Sequence, residues 1–245
     1  MVFGIWGRDG TGKSTLADAL GVLFAKRGIA IVIDTDLTQP TLPARIGGRA
    51  VDGETSLGRA ISDVGVEDAA AFLHQHSKHK NLFYAGLTDR EDCLSYEIGL
   101  EAGERALEFV QLCASLLDTV IVDVSSQRTD PFVPAVLTKA DLLLLPVTPN
   151  VQGVCWLNSV KPLIDSIGNW NKIAPVAAMA DKHHDLKAIE KAAGISFAAV
   201  LPFAKELGQI QDTGKTALDG ATPAAIRYIA EAQKLYMLAK GDGKA

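Results

Sequence analysis

The sequence predicts an α/β protein with a doubly wound, mostly parallel sheet that carries helices on both faces. Short apolar runs rich in Val and Ile alternate with longer amphipathic segments, and a glycine-rich loop joins the first apolar run to the first helical segment. Such runs suit strands that are covered on both faces, and strand–helix alternation is typical of a parallel sheet. The length of 245 residues fits one domain that spans residues 1–245.

Each strand is predicted from a short apolar run, and each helix from an amphipathic segment between two such runs. The predicted strands are Val2–Trp6, Ile29–Ile33, Asn81–Ala85, Thr119–Val124, Leu142–Val147, Ile173–Met179 and Phe197–Leu201. The predicted helices are Ser14–Arg27, Glu101–Leu117, Pro131–Lys139, Val151–Ile167, Leu186–Ala193 and Pro223–Lys240. Gly28 ends the first helix. The stretch Gly47–Thr55 ("GGRAVDGET") follows neither pattern and is expected to be a loop beside the functional site.

The composition excludes wholesale disorder and gives no sign of a dominant nucleic-acid surface. Apolar residues make up 48% of the chain and charged residues 22%, which is enough to bury a sizeable core. The net charge is −5 without a dense basic run, so nucleic-acid binding is not indicated, although a local patch stays open. Cys93, Cys113 and Cys155 are widely spaced and are expected to be reduced thiols.

The beginning of the chain and its apolar runs predict a cytoplasmic protein. The opening residues, "MVFGIW", lack the basic region of a signal peptide. The apolar runs all fall short of the roughly 18 residues that a membrane span needs. The longest of them ends near Pro146 and is better explained as a buried strand.

Residues 7–15, "GRDGTGKST", satisfy the phosphate-binding pattern GxxxxGK[ST] through Gly7, Gly12, Lys13 and Ser14. The pattern follows a predicted strand and opens a predicted helix, which is the context it requires. Gly10 and Gly12 let the backbone approach phosphate oxygens, and the helix N-terminus adds positive potential. Lys13 is expected to reach the phosphates and the Ser14 hydroxyl to hold Mg²⁺. The alternative is a glycine-rich turn that matches by chance.

Acidic residues follow two of the predicted strands. "IVIDTD" places Asp34 and Asp36 after one strand, and "TVIVD" places Asp123 after another. Because the carboxyl ends of parallel strands share one edge of the sheet, these carboxylates are expected to converge. There they would act on Mg²⁺ and on an attacking water, as phosphoryl transfer requires. The alternative is that they are solvated acids or helix caps.

With these motifs the chain resembles the MinD/ParA family of ATPases, which carry a deviant Walker A motif written KGGxGK[ST] and include the pilus-localising TadZ/CpaE branch. The resemblance covers nearly the whole chain. It includes "VIDTDLTQPTLP" around the second acidic motif, "LDTVIVD" as the Walker B strand, "ADLLLLPVTPNVQGV" as the strand and helix start that follow, and "LPFAKELGQIQDTGKTAL" as the segment beside the adenine.

The resemblance implies ATP and Mg²⁺ as cofactors and assigns roles residue by residue. Lys13 is the phosphate-binding lysine, Ser14 is a direct Mg²⁺ ligand, Asp34 and Asp123 act on Mg²⁺ through waters, and Asp36 orients the attacking water. The catalytic set is Lys13, Asp36 and Arg8. The nucleotide-binding set is Gly7, Arg8, Asp9, Gly10, Thr11, Gly12, Lys13, Ser14, Thr15, Asp181, Pro202 and Phe203, of which Pro202 and Phe203 occupy the adenine-side segment.

Two residues of the loop depart from the family pattern. Arg8 stands where the family has a signature lysine that reaches across an ATP-dependent homodimer to the partner's phosphates. Its guanidinium keeps the charge but prefers bidentate contacts. Asp9 stands where the family has glycine, and a carboxylate about 6 Å from a phosphate charge costs on the order of 3 kcal/mol at an effective dielectric constant of ~20. Asp9 is therefore expected to point away and to pair with Arg8 or with a group on a second subunit. The alternative for Arg8 is a solvated loop residue.

Two further departures lie outside the loop. Ser125 stands where the family often has proline, two residues after the Walker B aspartate. The adenine-reading Asn is absent from "VAAMADKHH", where Asp181 is either an acceptor for the adenine amino group or a plain loop acid. The choice of base stays open.

The histidines and the closing helix carry weaker signals. His74, His76 and His79 in "HQHSKHK" do not share one helix face, so a solvated helix end is expected rather than a metal site. His183 and His184 are expected at the surface. The apolar stripe of Pro223–Lys240 is expected to pack on the domain. Because "GDGKA" follows where membrane-binding members of the family add a basic and apolar tail, no stable membrane binding is expected.

Three hypotheses for function remain at this point. The first is a regulatory ATPase in which ATP favours a dimer that recruits an unidentified partner, to position a pilus or secretion machine, a plasmid or a division site. The second is a maturation or metabolic enzyme, such as a metal-insertion ATPase or a small-molecule kinase, although the CxC or CxxC of metal insertion is missing. The third is a nucleotide-binding module with weak turnover.

Overall fold

The computed structural model describes residues 1–62, 66–88, 90–91, 94–211, 213 and 215–241, and Cys93 lies outside them. An eight-stranded sheet runs through this part of the chain in the order β3-β4-β2-β5-β1-β6-β7-β8. The pairs are parallel except for β3 and β4, which are antiparallel. The strands are β1 (Val2–Ile5), β2 (Ala30–Asp34), β3 (His74–Gln75), β4 (Leu82–Ala85), β5 (Thr119–Asp123), β6 (Leu142–Val147), β7 (Ile173–Ala180) and β8 (Ala199–Pro202).

The α-helices connect these strands, and short 3₁₀ turns add to them. The helices are α1 (Lys13–Ala25), α2 (Leu42–Arg45), α3 (Leu57–Ile61), α4 (Ala102–Leu116), α5 (Phe132–Lys139), α6 (Val151–Ile167), α7 (Leu186–Ala193), α8 (Glu206–Gln211) and α9 (Pro223–Ala239). The 3₁₀ turns are Gly53–Thr55, Ala69–Phe72, Trp170–Lys172 and Ala217–Asp219.

The sheet is buried on both faces, as the apolar runs predict. Alternate residues of one strand face opposite cores, so that Val32 packs in one core while Ile31 and Ile33 pack in the other. Helices α1 and α9 cover the first face, and α3 to α6 cover the second. This confirms the doubly wound, mostly parallel sheet.

The predicted strands and helices are all present, with ends that differ by at most two residues. The elements that the sequence did not predict are short, namely α2, α3, α8, β3 and the 3₁₀ turns. Residues 47–52 form a loop as expected, and the last part of the predicted loop, Gly53–Thr55, is one 3₁₀ turn. A segment of two to six residues is too short to show a full helical or strand period, which explains why these elements were missed.

The prediction of a solvated helix end around the three clustered histidines is wrong. His74 belongs to β3, which pairs with β4. His76 is only 3% exposed, and its Nδ1 accepts the backbone N–H groups of Lys78 and His79 at 3.0 and 3.1 Å. His76 therefore closes a tight turn, and no metal-binding group of three or more His, Cys, Asp or Glu residues occurs among the residues that the structure describes.

The closing helix packs on the domain, as predicted. Its residues Tyr228, Leu235 and Tyr236 are buried with residues of α1 and β8. In the described residues no helix is both long and apolar enough to cross a membrane. Cys113 is a buried free thiol and Cys155 an exposed one.

The start of α6 depends on the absence of a side chain at Gly153. A Cβ atom there would lie 1.9 Å from the carbonyl oxygen of Thr148, a backbone atom that cannot yield. The Gly153 N–H is also fixed by the Asn150 side chain at 2.9 Å. The N-terminus of α6 is thus held close to the end of β6.

We predict that Gly153→Ala lowers the free energy of unfolding by about 2 kcal/mol, because overpacking against backbone forces the helix to shift. Gly208→Ala is the matched control, since a Cβ at this glycine of α8 meets nothing within 4 Å. The control should be neutral or stabilising by up to about 1 kcal/mol, as alanine favours helix over glycine. Urea unfolding measures both, and equal stability of the two variants would contradict the prediction.

Candidate functional site

The loop between β1 and α1 has the backbone that the phosphate-binding pattern requires. Gly10 and Gly12 adopt φ values of 71° and 75°, in the left-handed region that favours glycine. Gly12 directly precedes α1. The carbonyl of Arg8 accepts hydrogen bonds from Thr11 Oγ1 at 2.8 Å and from Lys13 Nζ at 3.2 Å. These contacts fold the loop around the carbonyl and bring the lysine back across it.

The loop opens on a cavity of about 230 Å³ that also contains the acidic strand ends. Its lining residues are Asp9, Gly10, Gly12, Lys13, Ser14, Thr15, Asp34, Asp36, Gln39, Thr41, Asp123, Val124 and Ser125. Asp34 and Asp123 are direct neighbours in the parallel pairing of β2 with β5. The convergence that the sequence predicts for these carboxylates is therefore confirmed.

The Asp36 carboxylate is fixed at the edge of this cavity by its own turn. Its Oδ1 accepts the backbone N–H groups of Thr38 and Gln39 at 2.9 and 3.0 Å and the Thr38 hydroxyl at 2.7 Å. Three donors on one oxygen limit the rotation of the carboxylate. Asp36 is thus a preoriented hydrogen-bond acceptor beside the loop.

Sequence reasoning missed Arg45, which is the central cation of the site. Its Nη1 lies 3.1 Å from Asp34 Oδ2 and 2.9 Å from Asp123 Oδ2, and its Nη2 lies 2.7 Å from Asp18 Oδ1. The guanidinium also lies over the ring of Tyr84, 5.3 Å from its centroid. The arginine side chain is only 7% exposed, so these ion pairs are screened little by solvent.

Burial and the neighbouring charges together shift the pKa values of Arg45 and Asp123. Burial alone lowers the pKa of Arg45, but Asp18, Asp34 and Asp123 outweigh it and raise that pKa well above its usual range. For Asp123, burial has the largest effect and raises the pKa, Arg45 lowers it and Asp34 raises it, and the net result is a pKa raised to about 6. The arginine is therefore permanently charged and partly offsets the rise in the pKa of Asp123.

Arg45 is placed by α2, a helix too short to be seen in the sequence. Leu42 and Ile46, which flank the arginine, are 0% and 2% exposed and anchor this turn in the core next to α1. Thr41 adds a hydrogen bond from its hydroxyl to Asp34 Oδ2 at 2.6 Å. The only available signal was a basic residue between two apolar residues four apart, which does not distinguish a buried arginine from a solvated one.

A fourth buried carboxylate, that of Asp130, ties the loops after β2 and β5 together. Asp130 is 5% exposed and accepts the Thr35 hydroxyl, the Ser125 N–H at 3.0 Å and the Phe132 N–H at 2.8 Å. The Ser125 N–H also donates to Thr35 Oγ1 at 2.9 Å. Proline at position 125 would lack this N–H, so the departure from the family pattern at Ser125 has a structural use here.

Arg8 and Asp9 do not pair with each other. Nη1 of Arg8 donates instead to Oε1 of Gln152, the second residue of α6, at 2.7 Å. Asp9 is exposed and is one of the residues that line the cavity. The pairing of Asp9 with Arg8 is therefore wrong, and a group on a second subunit stays a prediction.

Comparison with solved structures identifies the fold, whereas no protein-family model and no curated protein sequence matches the chain. MinD of Pyrococcus horikoshii complexed with Mg-ADP gives a TM-score of 0.78 at 17% identity over 100% of both chains. A ParA family ATPase from Chlorobium tepidum gives 0.74 at 18% identity, over 96% of this chain and 98% of that one. A chain of the Aquifex aeolicus MinC:MinD cell division protein complex gives a TM-score of 0.74 at 19% identity. The match covers 100% of this chain and 97% of that one.

The chain has the MinD/ParA fold. This confirms the fold that the resemblance implied. In the MinD/ParA fold of this chain, the phosphate-binding loop and both acidic strand ends lie at one edge of the sheet, beside the middle strand β1 and its neighbour β5. Pro202 and Phe203, which the resemblance places beside the base, lie at the end of β8 next to β7.

The structure brings the predicted base-side residues together at the ends of β7 and β8, and their contact with a base stays a prediction. Ala180 and Pro202 are register partners, and the Phe203 N–H donates to the Ala180 carbonyl at 2.9 Å. Asp181 is exposed and accepts the His183 N–H at 2.7 Å, which fits a residue that shapes its own turn. Phe203 is 57% exposed beside it.

The residues of the cavity fit a magnesium nucleotide. The left-handed glycines leave the loop backbone open, and at Gly10 a Cβ would meet nothing within 4 Å, so there is room for a phosphate group. A hydroxyl at Ser14 and carboxylates at Asp34 and Asp123 are the hard oxygen ligands that Mg²⁺ prefers, directly or through water. No soft or aromatic ligand is among the residues that line the cavity within the described chain.

We predict that the stability of the protein depends on pH through Asp130. Burial raises the pKa of Asp130 to about 6, above the roughly 3.9 of an unfolded chain. The folded protein therefore binds this proton more tightly, and the resulting stabilisation is lost as the pH rises from about 4 through about 6. Between these limits the wild type should lose up to about 3 kcal/mol more than Asp130→Asn, since one pKa unit corresponds to about 1.4 kcal/mol.

Urea unfolding at several pH values measures this difference. Asp123 titrates in both proteins, so its contribution cancels from the comparison. Parallel curves for the wild type and Asp130→Asn would show that Asp130 has the same pKa in the folded and unfolded states.

Proposed function

We propose that this chain is an ATPase of the MinD/ParA family that binds ATP with Mg²⁺ in the cavity at the start of α1. The observation that supports this most is the placement of Lys13, the left-handed Gly10 and Gly12, and the paired Asp34 and Asp123 around one cavity. The glycine-rich loop with its lysine, or the pair of aspartates at the strand ends, occurs alone in other proteins. Together they bring groups that can contact phosphates and groups that can hold a metal to one cavity.

The residues of the site have distinct parts in this proposal. The loop N–H groups and Lys13 bind the phosphates, and the base lies beside Asp181, Pro202 and Phe203. Ser14 ligates Mg²⁺, while Asp34 and Asp123 hold its waters. When bound, the metal neutralises charge that develops on the phosphates. Asp36, whose carboxylate is already fixed by its turn, orients the attacking water.

This chemistry is proposed to switch the protein between a monomer and a homodimer. ATP binding favours a homodimer, Arg8 replaces the signature lysine and reaches the phosphates of the second subunit, and slow hydrolysis returns the protein to the monomer. The dimer would recruit a partner complex, as the Aquifex MinD structure contains MinC. The partner is proposed to belong to a pilus or secretion machine, a plasmid or a division site.

A module with weak turnover is the second candidate, and Asp9 is the observation that favours it. This carboxylate is exposed and lines the cavity, where a family member has glycine. Its charge would oppose the phosphates. The two candidates share the nucleotide site and differ in the rate of hydrolysis.

We predict that Lys13→Ala weakens ATP binding at least a hundredfold, because the lysine is the charged phosphate contact of the loop. Lys26→Ala is the matched control: Lys26 is exposed at the opposite end of the same helix. Titration calorimetry with ATP and Mg²⁺ measures both affinities. Unchanged affinity in Lys13→Ala would refute the nucleotide site.

We predict that Arg8→Ala binds ATP within about tenfold of the wild type, or about 1.4 kcal/mol, but stays monomeric with ATP. The reason is that Arg8 is proposed to contact the phosphates of the other subunit, and its present partner is a side chain, Gln152. Light scattering with ATP measures the mass, with hydrolysis blocked by Asp36→Ala in both proteins. Arg27→Ala, exposed at the far end of α1, is the control that should still dimerise. A dimer that persists without Arg8 would contradict the role across the interface.

A further inference from the structure

The charge at the ends of β2 and β5 is compensated from within the chain. Asp18, Asp34 and Asp123 are three buried carboxylates that share one buried guanidinium, that of Arg45. Nothing in the proposed ATPase chemistry requires a cation at this place besides the metal. A buried arginine that contacts both carboxylates of a metal site therefore needs an explanation of its own.

Arg45 approaches these carboxylates from the side away from the loop. Asp34 and Asp123 line the cavity of the phosphate-binding loop. Arg45 and Asp18 line a second cavity of about 250 Å³, together with Tyr84 and His76. Ser14 and Thr41 line both cavities, so the two lie on opposite sides of the same wall.

One nitrogen of Arg45 bridges the two strand ends. Nη1 reaches Oδ2 of Asp34 and Oδ2 of Asp123 and so ties these two oxygens together. The rest of the guanidinium is anchored behind, with Nε and Nη2 donating to Asp18 Oδ1 at 3.1 and 2.7 Å. The Tyr84 hydroxyl donates to the same oxygen at 3.0 Å. An arginine anchored in this way can stay seated when a metal ion enters the other cavity.

We propose that Arg45 is a built-in counter-charge for the metal site: a positioning residue that holds the carboxylates of Asp34 and Asp123 side by side when Mg²⁺ is absent and weakens the hold on Mg²⁺ when it is present. This inference rests on the proposed function for the identity of the metal. Two adjacent buried carboxylates without a cation repel each other and are driven apart. A permanent positive charge behind them removes that cost and also reduces their attraction for a divalent cation.

Two substitutions change the charge behind the carboxylates in opposite directions. Arg45→Met removes the positive charge and keeps a long apolar side chain, whereas Asp18→Asn removes a negative charge and leaves Arg45 to the other two carboxylates. In the presence of ADP, Arg45→Met should lower the half-saturating Mg²⁺ concentration at least tenfold. Asp18→Asn should raise it at least threefold. Titration calorimetry with Mg²⁺ at saturating ADP measures both.

Thermal unfolding with Mg²⁺ alone gives a readout that needs no nucleotide. Arg45→Met should unfold at a lower temperature than the wild type in EDTA, and Mg²⁺ should restore most of the loss, because the metal then replaces the missing charge. Arg45→Lys keeps the charge and should respond to Mg²⁺ like the wild type. Arg59→Met is the matched control, since Arg59 follows in the next helix, α3, and pairs with the exposed Glu54.

The outcomes separate this inference from a packing role and from the proposed function. Two results for Arg45→Met would together overturn the inference. The first is a loss of stability that is equal with and without Mg²⁺, and the second is a half-saturating Mg²⁺ concentration within twofold of the wild type. If Arg45→Met does not fold in either buffer, Asp18→Asn decides, and an unchanged or lowered Mg²⁺ requirement there overturns it. If the wild type binds no ADP with Mg²⁺, the proposed function fails, while the unfolding experiment with Mg²⁺ alone still tests the counter-charge.

Discussion

The need to neutralise buried negative charge at the ends of β2 and β5 is the constraint around which the site is built. Register pairing puts Asp34 beside Asp123, and strands of one sheet lie only about 5 Å apart. Both residues are almost fully buried, so their mutual repulsion is screened little. Arg45 resolves this conflict, and α2 and the loop from Asp36 onward are placed where they are because the arginine must reach both carboxylates.

A similar solution holds the loop that follows β5. Asp130 is buried without a basic partner among the contacts described, and it is satisfied by donors alone: the Thr35 hydroxyl and the backbone N–H groups of Ser125 and Phe132. A carboxylate can accept several hydrogen bonds at once, which lets one residue connect two loops. The segments that carry Asp36 and Ser125 are thus fixed to the sheet edge by polar contacts.

How far the sequence predicts the structure depends on the length of each element. Val151–Ile167 and Leu142–Val147 have the predicted ends, because each shows at least a full period of burial. The antiparallel strand β3 has two residues and α2 has four, and neither length can display a period. The histidines in this region were misread for the same reason. His76 is buried by the turn that its ring nitrogen closes, and composition alone suggested a solvated segment.

The sequence by itself determined the order of the longer strands and helices, the phosphate-binding loop and the acidic ends of β2 and β5. Each of these is written in neighbouring residues, through the burial period of a strand or the fixed spacing of Gly7, Gly12 and Lys13. Only the tertiary structure decided what compensates the acids. Arg45 is 27 residues from Asp18 and 78 from Asp123 along the chain, and an arginine in an unpatterned stretch has no local signal for burial. Contacts of that separation exist only once the sheet has aligned its strands, because the alignment, and not the sequence around Arg45, brings the three carboxylates within reach of one guanidinium.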